Sequence, residues 1–133
     1  MNLAFAMELS LVQEIIEDGN IAVCPIRQIG KSNALMNVVY KDLRDGAPLV
    51  IVVCPSLSMA EIFIDNCARQ FPGILSKRVM ACWVSDRIPD CFRGVPVGTR
   101  VYFEEYLDLS EQARTLLYQY SGVSYFGGTA TLR

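Results

Sequence analysis

Ile21-Ala22-Val23-Cys24-Pro25-Ile26-Arg27-Gln28-Ile29-Gly30-Lys31-Ser32 is the stretch on which the fold turns. Four apolar residues of strand type run into a short loop. The loop ends in Gly-Lys-Ser, and Leu35, Val38, Val39 and Leu43 then recur at helical spacing. A strand, a loop and a helix in that order form an anion site. Backbone N–H groups of the loop and of the helix N-terminus converge on the anion, and the helix dipole favours its charge. Lys31 is placed to reach the β- and γ-phosphates of a nucleotide, and the Ser32 hydroxyl to ligate Mg²⁺. Gly30 allows a backbone geometry and a close approach that a side chain would obstruct. Pro25 stands where the first glycine of GxxxxGK[ST] falls, so the expected nucleotide-binding set is Pro25, Ile26, Arg27, Gln28, Ile29, Gly30, Lys31 and Ser32. The competing reading makes Lys31 a solvated charge on an ordinary loop. The placement between strand and helix decides against it.

Working outward, short β-rich runs alternate with amphipathic segments along the whole chain. Strands are predicted at residues 21–24, 49–54, 79–84, 100–103 and 123–126. A first helix over about residues 8–17 places Leu9, Val12 and Ile16 on one face, and a second runs from Lys31 to about Leu43. A third begins at Ser58 with Glu61 three residues on as a capping box, buries Ala60, Ile64, Cys67 and Phe71, and stops at Pro72-Gly73. A last helix follows Ser110. The alternation predicts a parallel sheet covered by helices. With the loop motif, that is an α/β, three-layer P-loop NTPase (RecA-like) fold with a mainly parallel five-stranded sheet. At 133 residues, residues 1–133 form a single domain.

The run Arg100-Val101-Tyr102-Phe103 ends at Glu104-Glu105, two adjacent carboxylates at a strand's C-terminal tip. In open α/β sheets ligands bind at those tips. Glu104 is assigned to the metal shell and Glu105 to polarising the attacking water, with Asp108 as a weaker substitute. Thr129-Ala130-Thr131, after the last predicted strand, is a candidate sensor of the γ-phosphate.

Composition excludes several alternatives. The chain has no histidine, which removes Ser-His-Asp and Cys-His nucleophile systems and nearly all catalytic zinc sites. The five cysteines form no CxxC pair, and free thiols in that number suit a reducing cytosol, so the expected location is cytoplasmic. Cys24, Cys54 and Cys82 read as small buried hydrophobes. No apolar run approaches the length of a membrane span. Net charge is −2, so phosphate neutralisation alone gives the chain no broad grip on nucleic acid.

Taken together, these pieces resemble the ATPase domain of the large terminase subunit, the motor that packages DNA into viral capsids, which is related to superfamily 2 helicases. The loop Arg27-Gln28-Ile29-Gly30-Lys31-Ser32 is similar to the terminase form of the phosphate loop. Val53-Cys54-Pro55-Ser56-Leu57-Ser58 is similar to the segment after the second strand, and Arg93-Gly94 to the Arg-Gly ahead of the acidic strand. Thr129-Ala130-Thr131 resembles the coupling motif. The resemblance implies ATP and Mg²⁺ as ligands and Arg27 as an arginine finger in cis. It implies Gln13 as an adenine-side contact, and a coupling strand lying between the phosphate-loop and acidic-pair strands. Implied partners are double-stranded DNA and the capsid portal, reached through an assembly such as a homo-oligomer, in a viral host cell. Glu104 stands where that family usually has Asp. The chain stops just past the coupling motif, so a minimal or truncated core is expected. The function expected is therefore ATP binding and Mg-dependent hydrolysis by a terminase-like packaging motor core. The alternatives are a superfamily 2 helicase-type ATPase core, and a nucleotide-binding or assembly module without turnover.

Overall fold

The computed structural model describes all residues except 1, 26–29, 74–77, 84–91, 93, 112, 115–122 and 133. In chain order these residues form β1 (Leu3–Phe5), α1 (Leu9–Glu17), β2 (Ile21–Cys24), α2 (Lys31–Arg44), β3 (Val50–Cys54), α3 (Leu57–Gln70), β4 (Val79–Trp83), β5 (Thr99–Phe103), a 3₁₀ turn (Tyr106–Asp108) and β6 (Val123–Thr131). The strands pair in the order β1-β2-β6-β5-β3-β4, and every pairing is parallel.

The side-chain alternation of the central strands separates two apolar cores. Ala22, Cys24, Val50, Val52, Cys54 and Tyr102 face a cluster built with Val12 and Ile16 of α1, Leu35, Val38 and Val39 of α2, and Ala60 and Phe63 of α3. Ile21, Val23, Ile51, Val53, Val101, Phe103 and Ala130 face the other side, where they pack with Phe92, Leu109 and Ala113. Both faces of the central strands are therefore buried, which explains why these runs read as continuously apolar.

The observed elements correct the expected ones at several points. The sheet has six strands among the described residues. The added one, β1, is a short edge strand in which Leu3 and Phe5 are exposed, and Ala6 N–H donates to Val23 O at 2.9 Å just beyond it. The cap of α3 is Ser56, not Ser58: its extended backbone lets the hydroxyl accept from Met59 N–H at 3.2 Å. On α1, Ile15 joins Val12 and Ile16 inside, while Leu9 is exposed. On α3, Ala60 and Phe63 are the buried residues and Ile64, Cys67 and Phe71 are half-buried. The last strand runs through Thr131, so Thr129, Ala130 and Thr131 lie within β6 rather than after it. Gly127-Gly128 does not end this strand. A Cβ on Gly128 would stand 2.2 Å from Phe103 O, so glycine is what lets β6 run this close to β5. Ser110 caps as expected, its hydroxyl accepting from Ala113 N–H at 3.1 Å. Most of the segment after it lies outside the described residues, as does Val84.

Candidate functional site

Parallel pairing aligns the C-terminal ends of β2, β6, β5 and β3, and the candidate residues meet there. Gly30 is the N-cap of α2 with φ of 105°, a left-handed conformation. Its backbone angle favours glycine, and a Cβ there, 2.9 Å from Leu9 Cδ1, would push the exposed Leu9 side chain aside. The next residue, Lys31, is buried at 5% exposure. Its Nζ lies 2.5 Å from Glu105 Oε1 and also donates to the Thr131 hydroxyl. Thr131 in turn donates to the same Glu105 oxygen at 3.1 Å. A buried ammonium is costly unless it meets an anion and hydrogen-bond acceptors. Glu105 and Thr131 supply both.

Beside this group, Ser32 Oγ donates to Glu104 Oε1 at 3.3 Å, and Cys54 Sγ donates to Glu104 Oε2 at 3.6 Å. Burial raises the Glu104 carboxyl above its usual range, against the bonds from Cys54 and Ser32, which lower it. The Cys54 thiol is driven far upward by burial and then by the neighbouring Glu104, and the Cys67 thiol is pushed up to about 12 by the same two causes. Both thiols therefore stay protonated. Cys54 is a fixed donor, not a nucleophile.

Glu105 has φ of 55° and is the non-glycine residue with positive φ among those described. Its N–H bonds the Thr129 hydroxyl at 3.3 Å, and its carbonyl accepts from Asp108 N–H at 2.9 Å. Left-handed backbone at a non-glycine residue costs energy and persists where its surroundings enforce it, commonly at functional sites. Here the turn directs the two consecutive carboxylates to different partners, Glu104 to Ser32 and Cys54, Glu105 to Lys31 and Thr131.

The structure thus brings together Lys31, Ser32, Glu104, Glu105, Thr129 and Thr131, drawn from three separated segments. Ala130 is fully buried in the core beneath them. Pro25 follows the tip of β2, half-buried. Gln13 is not brought to the cluster: its amide donates to Glu17 Oε1 at 3.1 Å along α1. Ile26, Arg27, Gln28 and Ile29 lie outside the described residues, as does Arg93. Cys54 is buried in the core as its sequence setting predicts, and it also donates to Glu104, a part the apolar run does not show. The available signal was its place at the end of β3, level with the acidic pair once the strands are set in parallel register.

Among the described residues, no three His, Cys, Asp or Glu side chains gather as a metal cage. The set formed by Ser32 and Glu104 is one hydroxyl and one carboxylate. It fits Mg²⁺, a hard cation that uses few protein oxygens and completes its shell with water and phosphate. No helix among the described residues is long and apolar enough to cross a membrane. Comparison with protein families, with curated proteins and with solved structures finds no match.

Proposed function

We propose that this chain is a P-loop ATPase core of the terminase type, binding ATP with Mg²⁺ and hydrolysing it. The observation that carries the proposal is the convergence of Lys31 and Ser32 from the start of α2, Glu104 and Glu105 from the tip of β5, and Thr131 from the strand between them. A basic residue and a hydroxyl opening a helix bind phosphate, while a carboxylate pair facing them serves metal and water. The strand order β2-β6-β5 is also the one the terminase resemblance implies.

The chemistry follows from these positions. Ser32 and Glu104 would hold Mg²⁺, which when bound would neutralise phosphate charge. The Lys31 ammonium, which meets Glu105 and Thr131, turns its donors to the phosphate oxygens. Glu105 is then free to accept a proton from water as the water oxygen bonds to the γ-phosphorus. The bond from that phosphorus to the bridging oxygen breaks, and its electron pair leaves with ADP. Thr131 touches both Lys31 and Glu105, so it is placed to report whether phosphate is present. Arg27, in the loop ahead of Gly30, supplies the cationic contact to transition-state charge.

Hydrolysis of Mg-ATP by the purified chain, alone and with duplex DNA, tests this. The expected result is slow turnover that duplex DNA increases and Glu105→Gln abolishes. Turnover coupled to strand separation would favour a helicase-type core. Binding without turnover would make the chain a nucleotide-binding module.

A further inference from the structure

The opposite end of α2 carries a second polar cluster that phosphate chemistry does not use. Asp42 is buried, yet it accepts from Arg100 Nη1 at 3.1 Å and from the fully buried Tyr102 hydroxyl. The Arg100 guanidinium also lies 4.6 Å from the centre of the Tyr125 ring on β6, and Tyr125 donates to Ile16 O of α1 at 3.4 Å.

The spacing relates this cluster to the site. Lys31 and Asp42 are eleven residues apart on α2, about 16 Å and close to three whole turns, so both face the sheet from one side of the helix. Arg100 lies in β5, and Glu105 stands five residues on, two past the strand's end, where its left-handed backbone turns its carboxylate to Lys31. Two ion pairs of opposite polarity therefore join α2 to the β5 segment, one near each end of the helix. The helix gives the cation at the site end, Lys31 to Glu105, and the anion at the far end, Asp42 to Arg100. Sliding α2 by one residue would rotate it by about 100° and break both pairs at once. Reversing its direction would set like charges together.

We infer that Asp42, Arg100 and Tyr102 are positioning residues: they clamp α2 in register on β5 so that Lys31 and Ser32 meet the carboxylate pair. The catalytic part of this inference rests on the ATPase reading. The register part does not. Apolar packing alone leaves the axial position of a helix loosely fixed, because neighbouring aliphatic contacts substitute for one another. A buried carboxylate with two specific donors does not permit such slippage.

Two measurements on the full chain test the clamp. The first is a double-mutant cycle in urea, without nucleotide, combining Lys31→Met at the site end with Tyr102→Phe at the far end. Sites this far apart ordinarily act independently, whereas a clamp predicts non-additivity above about threefold in the unfolding constant. Additivity overturns the clamp, whatever happens to turnover. The second is steady-state kinetics per folded molecule. Tyr102→Phe should lower kcat about tenfold with KM for Mg-ATP within about twofold, the pattern of lost transition-state alignment. Arg100→Lys, which keeps the charge but loses the fork, should fall between it and wild type. Non-additivity with unchanged kcat overturns the positioning role. A wild type without turnover refutes the ATPase reading instead, and the urea cycle still decides the register.

Discussion

Lys31 Nζ lies 2.5 Å from Glu105 Oε1, although 74 residues separate them in the chain. The contact spans two strands that do not pair directly, since β6 lies between β2 and β5. Thr131 of that intervening strand bonds to both partners. The loop lysine, the second carboxylate and the last residue of β6 thus form one polar unit, and each variant at the site acts on it.

The two carboxylates should separate by role. Glu105→Gln is expected to keep Mg-nucleotide binding and lose turnover by about 10²–10⁴-fold, the usual cost of a positioned base. Glu104→Gln should chiefly raise the Mg²⁺ concentration needed for half-maximal activity. Steady-state rates across a Mg²⁺ titration distinguish these outcomes. Wild-type rates in both variants would remove the pair from the chemistry.

Arg27→Ala should lower kcat far more than it weakens nucleotide affinity, by about 10³–10⁵-fold if the guanidinium meets charge that appears only in the transition state. Arg27→Lys should rescue little, because an ammonium lacks the planar fork. Unchanged kcat in Arg27→Ala would assign the residue to the surface.

Gly128→Ala should cost about 3 kcal/mol of stability or more, because overpacking here has no side chain to displace. Its Cβ would meet Phe103 O at 2.2 Å and Phe103 N at 2.8 Å, both backbone atoms. Gly46→Ala is the control, with nothing within 4 Å of the new carbon, although its φ of 96° still carries a smaller backbone cost. Equal urea midpoints for the two variants would show that β6 does not approach β5 this closely.

Asp42 gives a pH dependence of definite sign. Burial raises its carboxyl, the Tyr102 hydroxyl and then Arg100 oppose the rise, and Asp45 and Glu17 add to it. A carboxyl raised on folding contributes stability fully present below its unfolded value, about 3.9, and lost as pH rises through the folded value. Asp42→Asn cannot titrate. The stability advantage of wild type over this variant should therefore be largest in acid and shrink toward neutrality. Urea midpoints from about pH 4 to pH 7 measure it. An advantage that grows with pH would reverse the assignment.

Much of this arrangement was legible in the sequence because local signals agreed. Residues 21–32 carry strand, loop and helix start in one run, and residues 100–105 carry a strand with its acidic tip. What could not be read depends on partners distant in sequence. The three residues of β1 are too few to show a period, and they form a strand only because β2 offers a free edge. The predicted last strand stops at residue 126, because Gly127-Gly128 carries no strand signal of its own. The reason for glycine there, contact with Phe103, belongs to the neighbouring strand. Nothing local marks Asp42, since its partners Arg100 and Tyr102 lie some sixty residues on.

Calorimetric titration of Mg-ATP into wild type and Lys31→Ala tests whether Lys31 is a phosphate ligand. Lys31→Ala leaves Glu105 and Thr131 without their shared cation, so its folding is first checked by circular dichroism. Saturable binding is expected for wild type, with affinity weakened at least about a hundredfold in the variant, in line with the loss of a charge-assisted contact. Equal affinity in the two proteins, or no binding by folded wild type, would contradict that role of Lys31.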